Sequence, residues 1–163
     1  MNTLDEGVKN DMDSAASIGR RLAAIKAFHR AGVRSTCFIS PAFPGITDVK
    51  AIIGRVKGQC NLIWLENLNL RGSCKTAILG YIQEKYPALP PPYREIYQKG
   101  SHSCWERLDE QLRARAAETG LAYVTNDDSM KRPFEAPPVI VNYFYHKQVG
   151  KRAARAGGLT GRA

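Results

Sequence analysis

The stretch RLAAIKAFHRAGVRSTCFISPAFPGITDVKAIIGRVKGQCNLIWLENLNLRG, residues 21–72, decides the fold class. It reads as helix, buried strand, Pro/Gly turn, helix, buried strand and polar loop, the alternation that builds a parallel sheet with helices over both strand faces. Ile18, Leu22, Ile25 and Phe28 recur at helical spacing, Ser17 stands at a capping position and Gly32 at a stop, so a helix is expected from Ser17 through Ala31. Val33 to Ser40, rich in β-branched and aromatic residues, is expected as a strand. Thr47 is expected to cap a helix over 48–57 that turns Val49, Ile52, Ile53 and Val56 to one face, and Asn61 to Glu66 to form the second strand. Ligands of such folds sit at the carboxyl ends of the strands. Ser40 to Gly45 and Glu66 to Asn69 are therefore the loops where function is expected.

On the amino-terminal side, residues 1–16 are polar and net acidic and read as an irregular lead-in. Beyond Gly72, Lys75 to Tyr86 reads as a helix ended by a proline-rich turn, Pro87 to Pro92. Ser103-Cys104-Trp105-Glu106 has the form of a capping box opening a helix to about Thr119, with Trp105, Leu108 and Leu112 inward. Leu121 to Val124 is a weaker strand, 126–138 a loop, and Val139 to Tyr145 either a late strand or an extended packing segment. A closed eight-stranded barrel takes about 250 residues. The 163 residues suit one domain with too few strands to close one. The expected architecture is α/β: a partial parallel (β/α) barrel, half of a TIM-like barrel, over 17–86, with a mixed α/β extension over 87–146 and a basic tail over 147–163.

The order of short motifs adds a family resemblance. Asn2-Thr3-Leu4-Asp5-Glu6, Arg21-Leu22, Ala31-Gly32-Val33 and Ile39-Ser40-Pro41 followed by Pro44-Gly45-Ile46-Thr47-Asp48 resemble the second half of a radical S-adenosylmethionine (SAM) protein. Leu65 to Gly72 and Asn126 to Ser129 resemble the spore photoproduct lyase-like branch and its radical SAM mobile pair proteins. The resemblance covers roughly residues 2–146. It implies a [4Fe–4S] cluster that cleaves SAM to a 5′-deoxyadenosyl radical, and in the lyase-like branch a DNA photolesion repair reaction. It also implies SAM-binding residues by position: Asn2 and Thr3 near a strand end, Arg21 as a carboxylate partner, Phe38, Ser40 and Pro41 as the wall beside adenine, and Asn67 with Leu68 at the last strand's edge. The plain alternatives stay open: a solvated loop for Asn2 and Thr3, a surface charge for Arg21, a rigid turn for Pro41, Pro44 and Gly45.

The family ligates its cluster with CxxxCxxC. This chain has Cys37, Cys60, Cys74 and Cys104, separated by 23, 14 and 30 residues, so it is expected to ligate no cluster and to hold only a weak or partial SAM site. Cys37 falls inside a strand and reads as a core residue. His29, His102 and His146 are dispersed, and no metal or catalytic residue is assigned; Asp127-Asp128 pair only by adjacency. GxxxxGK[ST], GxSxG and HExxH motifs are absent, which argues against common nucleotidases, hydrolases and metalloproteases.

With 44% hydrophobic and 24% charged residues the composition is globular, and no apolar run approaches the ~20 residues of a membrane span. A cytoplasmic location with reduced cysteines is the expectation. The net charge of +9 draws on five Lys/Arg in KQVGKRAARAGGLTGRA, residues 147–163, which reads either as a solvated disordered tail or as a nucleic-acid contact. Two function classes result. One is the carboxyl-terminal part of a radical SAM enzyme, inactive alone and completed by an amino-terminal half or a second copy. The other is a non-catalytic module binding nucleic acid or a partner chain.

Overall fold

A computed structural model of the chain describes residues 1–125 and 139–143. It is a mixed α/β domain: α1 Glu6–Met12, α2 Ile18–Arg30, β1 Thr36–Ala42, α3 Val49–Val56, β2 Leu62–Asn67, α4 Cys74–Lys85, α5 Pro90–Tyr97, α6 Ser103–Thr119, β3 Ala122–Thr125 and β4 Val139–Tyr143. The strands form one parallel sheet in the order β1-β2-β4-β3. β1 and β2 are neighbours joined through α3, as the strand-helix rhythm requires. Sequence order ends there, because β4 lies between β2 and β3.

Alternation along the strands separates two faces. Cys37, Ile39, Ile63, Leu65 and Ile140 point into the core, where they meet Val49, Ile52, Ile53 and Val56 of α3 and Trp105, Leu112 and Ala116 of α6. Ile52, Ile53 and Val56 are each 0% exposed. Burying one such side chain is worth about 1.5–3 kcal/mol, so this single amphipathic face of α3 suffices to dock it. Helices were expected over both faces. On the opposite face the cluster among the described residues is made by strands alone, Leu62 with Trp64, Ala122 and Val124, and Phe38 remains 46% exposed.

Several local expectations are corrected. Residues 1–16 are not irregular: Asp5 accepts from the Val8 amide at 3.1 Å and starts α1. Asp48, not Thr47, caps α3, accepting from Ala51 at 2.9 Å, while Thr47 is diverted into the loop. The helix expected over 75–86 does end before Pro87, but the turn is shorter than expected, because the prolines at 90–92 open α5, where a proline's missing amide costs nothing. The capping box does not form: the His102 carbonyl starts α6 and the Ser103 hydroxyl lies 3.1 Å from that of Ser101. Ser17, by contrast, caps α2 as its position indicated. The loop expected over 126–138, residues 144–146 and the basic tail lie outside the described residues.

Candidate functional site

The turn after β1 and the loop after β2 leave the sheet side by side. Ala42 is in register with Asn67, and the Leu68 amide donates to the Ala42 carbonyl at 3.0 Å. Thr47 fixes the first turn, accepting from the Phe43 amide at 2.9 Å and donating to the Asn2 carbonyl at 2.7 Å. This draws the amino-terminal segment onto the rim. Gly45 completes the turn at φ 74°, and a Cβ there would stand 2.8 Å from Leu89. Glycine is needed for the dihedral and for the close approach alike. The Ser40–Pro41 peptide is cis.

A cleft of about 380 Å³ opens on this rim. Pro41 and Phe43 of the turn form one wall, Met12 and Asp11 of α1 another, and Tyr81 with Ala77 and Ile78 of α4 the third, with Asn2 beside them. Tyr81 donates to Asp11 at 3.1 Å and joins α4 to α1 across the cleft. Desolvation first, and then the hydrogen bond to Asp11, push the Tyr81 hydroxyl above its ordinary pKa, so it stays a neutral donor. The Asn2 amide nitrogen lies 3.6 Å from the Met12 sulfur, a weak contact that leaves an amide at the cleft wall. The chemistry offered is an apolar slot with one hydroxyl, one carboxylate and one amide.

The residues expected at the site fall in five places. Asn2 and Pro41 line the cleft. Ser40 and Phe38 lie on the sheet face opposite α3: Ser40 donates to Glu66 Oε2 at 3.0 Å, Trp64 Nε1 donates to Glu66 Oε1 at 3.4 Å, and the Phe38 and Trp64 rings stand 6.4 Å apart, tilted by 52°. Asn67 and Leu68 lie on the rim but are buried, and the Leu68 carbonyl accepts from Tyr97 at 3.0 Å. Thr3 is buried with its hydroxyl accepting from the Asp5 amide at 2.9 Å, which places it in the start of α1. Arg21 is engaged between α1 and α2, donating to Asp13 at 2.7 Å and to the Ala16 carbonyl at 2.7 Å.

Of the cleft's polar and large apolar lining, sequence reading missed Asp11, Met12 and Tyr81. Glu66 and Phe43 fell in stretches flagged as strand-end loops. Asp11 and Tyr81 carried no signal, since α1 was not anticipated and α4 has no strong apolar stripe.

No family model matches this chain, and no solved structure matches it. An uncharacterized protein of Methanocaldococcus jannaschii is 32% identical over 88 residues, which cover 53% of this chain and 33% of that protein. An uncharacterized protein of Mycobacterium tuberculosis is 27% identical over 143 residues, 84% of this chain and 42% of that protein. The chain spans roughly a third to two fifths of the length of these curated relatives.

Proposed function

We propose that this chain is the carboxyl-terminal part of a radical SAM enzyme of the spore photoproduct lyase-like kind, with the rim cleft as the adenosyl portion of its SAM site. On this reading β1, α3 and β2 are a unit of a half-barrel, and β3 and β4 belong to the extension that follows. The observation that carries it is the cleft itself. It lies at the carboxyl ends of parallel strands and brings Asn2 and Pro41, two positions suggested by the resemblance, against Phe43, Met12 and Tyr81. An apolar slot bordered by a hydroxyl, an amide and a carboxylate suits a purine nucleoside: the slot takes the base and Asp11 and Asn2 take ribose hydroxyls.

SAM supplies the adenosyl group and sulfonium on which the family's chemistry depends. The residues here fit its nucleoside end. They do not fit a [4Fe–4S] cluster: Cys37 and Cys60 are buried, Cys74 and Cys104 lie on different helices, and among the described residues no three His, Cys, Asp or Glu side chains stand together. The cluster is therefore placed outside these residues, and no step through it is derived for this chain. What this chain does is orient the nucleoside and shelter it against Pro41 and Phe43.

Titration calorimetry with SAM and 5′-deoxyadenosine tests the reading. Both should bind weakly, with Kd on the order of 1 mM, because the groups that hold the methionyl end are elsewhere. Tyr81→Phe and Asn2→Ala should each weaken 5′-deoxyadenosine further. Binding by neither ligand, or binding indifferent to both substitutions, would remove the cleft from the SAM site.

A further inference from the structure

We propose that the groove between α2 and α3 holds the phosphodiester backbone of a nucleic-acid strand without reading its bases. The inference stands apart from the SAM reading, because the groove shares no residue with the rim cleft.

Charge is spread unevenly along this chain. Residues 14–60 carry eight Lys/Arg and a single carboxylate, Asp48, whose side chain is engaged as the cap of α3. Among the described residues only Arg21 of those eight forms an ion pair. The rest leave a local excess of positive charge that favours polyanions.

The fold gathers part of that excess into a groove of about 350 Å³, lined by Leu22, Ala23 and Lys26 of α2 and by Gly54, Arg55 and Gln59 at the end of α3. Lys26 and Arg55 are exposed, and no carboxylate lines the groove. Arg30 follows Lys26 by one turn on the same helix face, about 6 Å along the axis, a step close to that between successive phosphates of a strand. The lining between the cations is small: Ala23 presents a methyl group, and a Cβ at Gly54 would meet nothing within 4 Å. A run of phosphates can therefore descend between the cations.

Other uses of these cations account for less. The negative ends of the helix dipoles favour Arg30 and Arg55, each in a last turn, but not Lys26, which stands a turn earlier in α2. The Gln59 amide already donates to the Arg55 carbonyl at 2.8 Å, so the guanidinium is not needed at that helix end. An anionic lipid surface would call for an apolar anchor beside the cations. Phe28, the exposed aromatic of α2, lies about 200° around the helix from Lys26 and so on its other side. No aromatic ring lines the groove, so it offers no platform on which a base could stack.

The test uses the full chain and short fluorescein-labelled single strands of differing sequence, read by anisotropy over a range of salt. The strands should bind alike. Lys26→Ala combined with Arg55→Ala should weaken them about tenfold and lower the slope of log affinity against log salt by about 2, one for each lost phosphate contact. Lys75→Ala combined with Arg94→Ala removes the same net charge from exposed positions outside the groove and should change affinity by no more than about twofold. Gly54→Glu takes away no cation, suits a helix better than glycine and sets a carboxylate in the open floor, and it should weaken the strands at least as much as the double change. Equal losses in the two double variants, undiminished affinity in Gly54→Glu, or no binding by the unaltered chain would overturn the proposal. Displacement of the strand by inorganic phosphate at matched ionic strength would overturn it in favour of a small-anion site. Displacement by phosphatidylserine vesicles that depends on Lys26 would overturn it in favour of a lipid contact.

Discussion

The Leu68 amide donates to the Ala42 carbonyl at 3.0 Å, one residue past the point where Ala42 and Asn67 face each other in the ladder. This bond carries the pairing of β1 and β2 beyond the strands and makes their following loops leave as a pair. Whatever binds at the rim meets both loops at once.

Thr47 and Asp48 do different work, and substitution separates them. Asp48→Ala removes the cap on the Ala51 amide and should cost about 1 kcal/mol in urea unfolding. Thr47→Val breaks the bonds to Phe43 and Asn2 and should cost a further increment, about 1–2 kcal/mol in all, while also weakening any ligand of the cleft. Equal effects of both changes on ligand affinity would contradict this division.

Gly45→Ala should be more harmful than an ordinary loop substitution. A left-handed φ costs a non-glycine residue roughly 1–2 kcal/mol, and the added methyl meets Leu89 at 2.8 Å. A second change, Leu89→Ala, should relieve the contact but not the dihedral. Thermal unfolding of the single and double variants reads the two contributions.

Ile52→Ala empties a fully buried position between α3 and the sheet. A loss of about 2–5 kcal/mol is expected, visible as a lower urea midpoint at unchanged slope.

Burial pushes the Cys37 thiol up to about 11, with Cys60 as a second cause, and burial raises Cys60 too. The folded state thus keeps a proton that the unfolded chain, with a Cys37 pKa near 9.0, has released. Stability held below pH 9.0 should fall as pH rises toward about 11, by up to about 1.4 kcal/mol per pH unit for this group. Unfolding midpoints compared on the two sides of that window should show the fall, and Cys37→Ser should flatten it. At neutral pH iodoacetamide should label exposed Cys74 and spare Cys37 and Cys60, as read by intact mass.

The βαβ unit was legible because its signals are strong and local: the apolar face of Val49, Ile52, Ile53 and Val56, the β-branched runs, and the glycine and proline punctuation. Ser17 was legible as a cap for the same reason. What escaped were competitions between neighbours. Thr47 and Asp48 both suit a cap, and only the loop's need for a donor to the Asn2 carbonyl decides between them. The prolines before Tyr93 read as a stop when taken from the left and as a helix start from the right. The position of β4 between β2 and β3 depends on long-range pairing, which carries no local mark in the chain. Of the site, Asn2 and Pro41 could be placed at the cleft because strand ends are predictable; Asp11 and Tyr81 could not, since they meet only after α1 and α4 have packed.

The strand order also sets a timetable for synthesis. Among the described residues β3 pairs with β4 alone, and β4 is made after it. Until residue 143 has left the ribosome, β2 offers one unpaired edge and β3 waits beside α6 without a ladder. A nascent chain at that stage presents an open strand edge to its surroundings, the condition under which chains pair with the wrong neighbour. Five residues, Val139–Tyr143, close that interval, and they do so by entering the middle of the sheet.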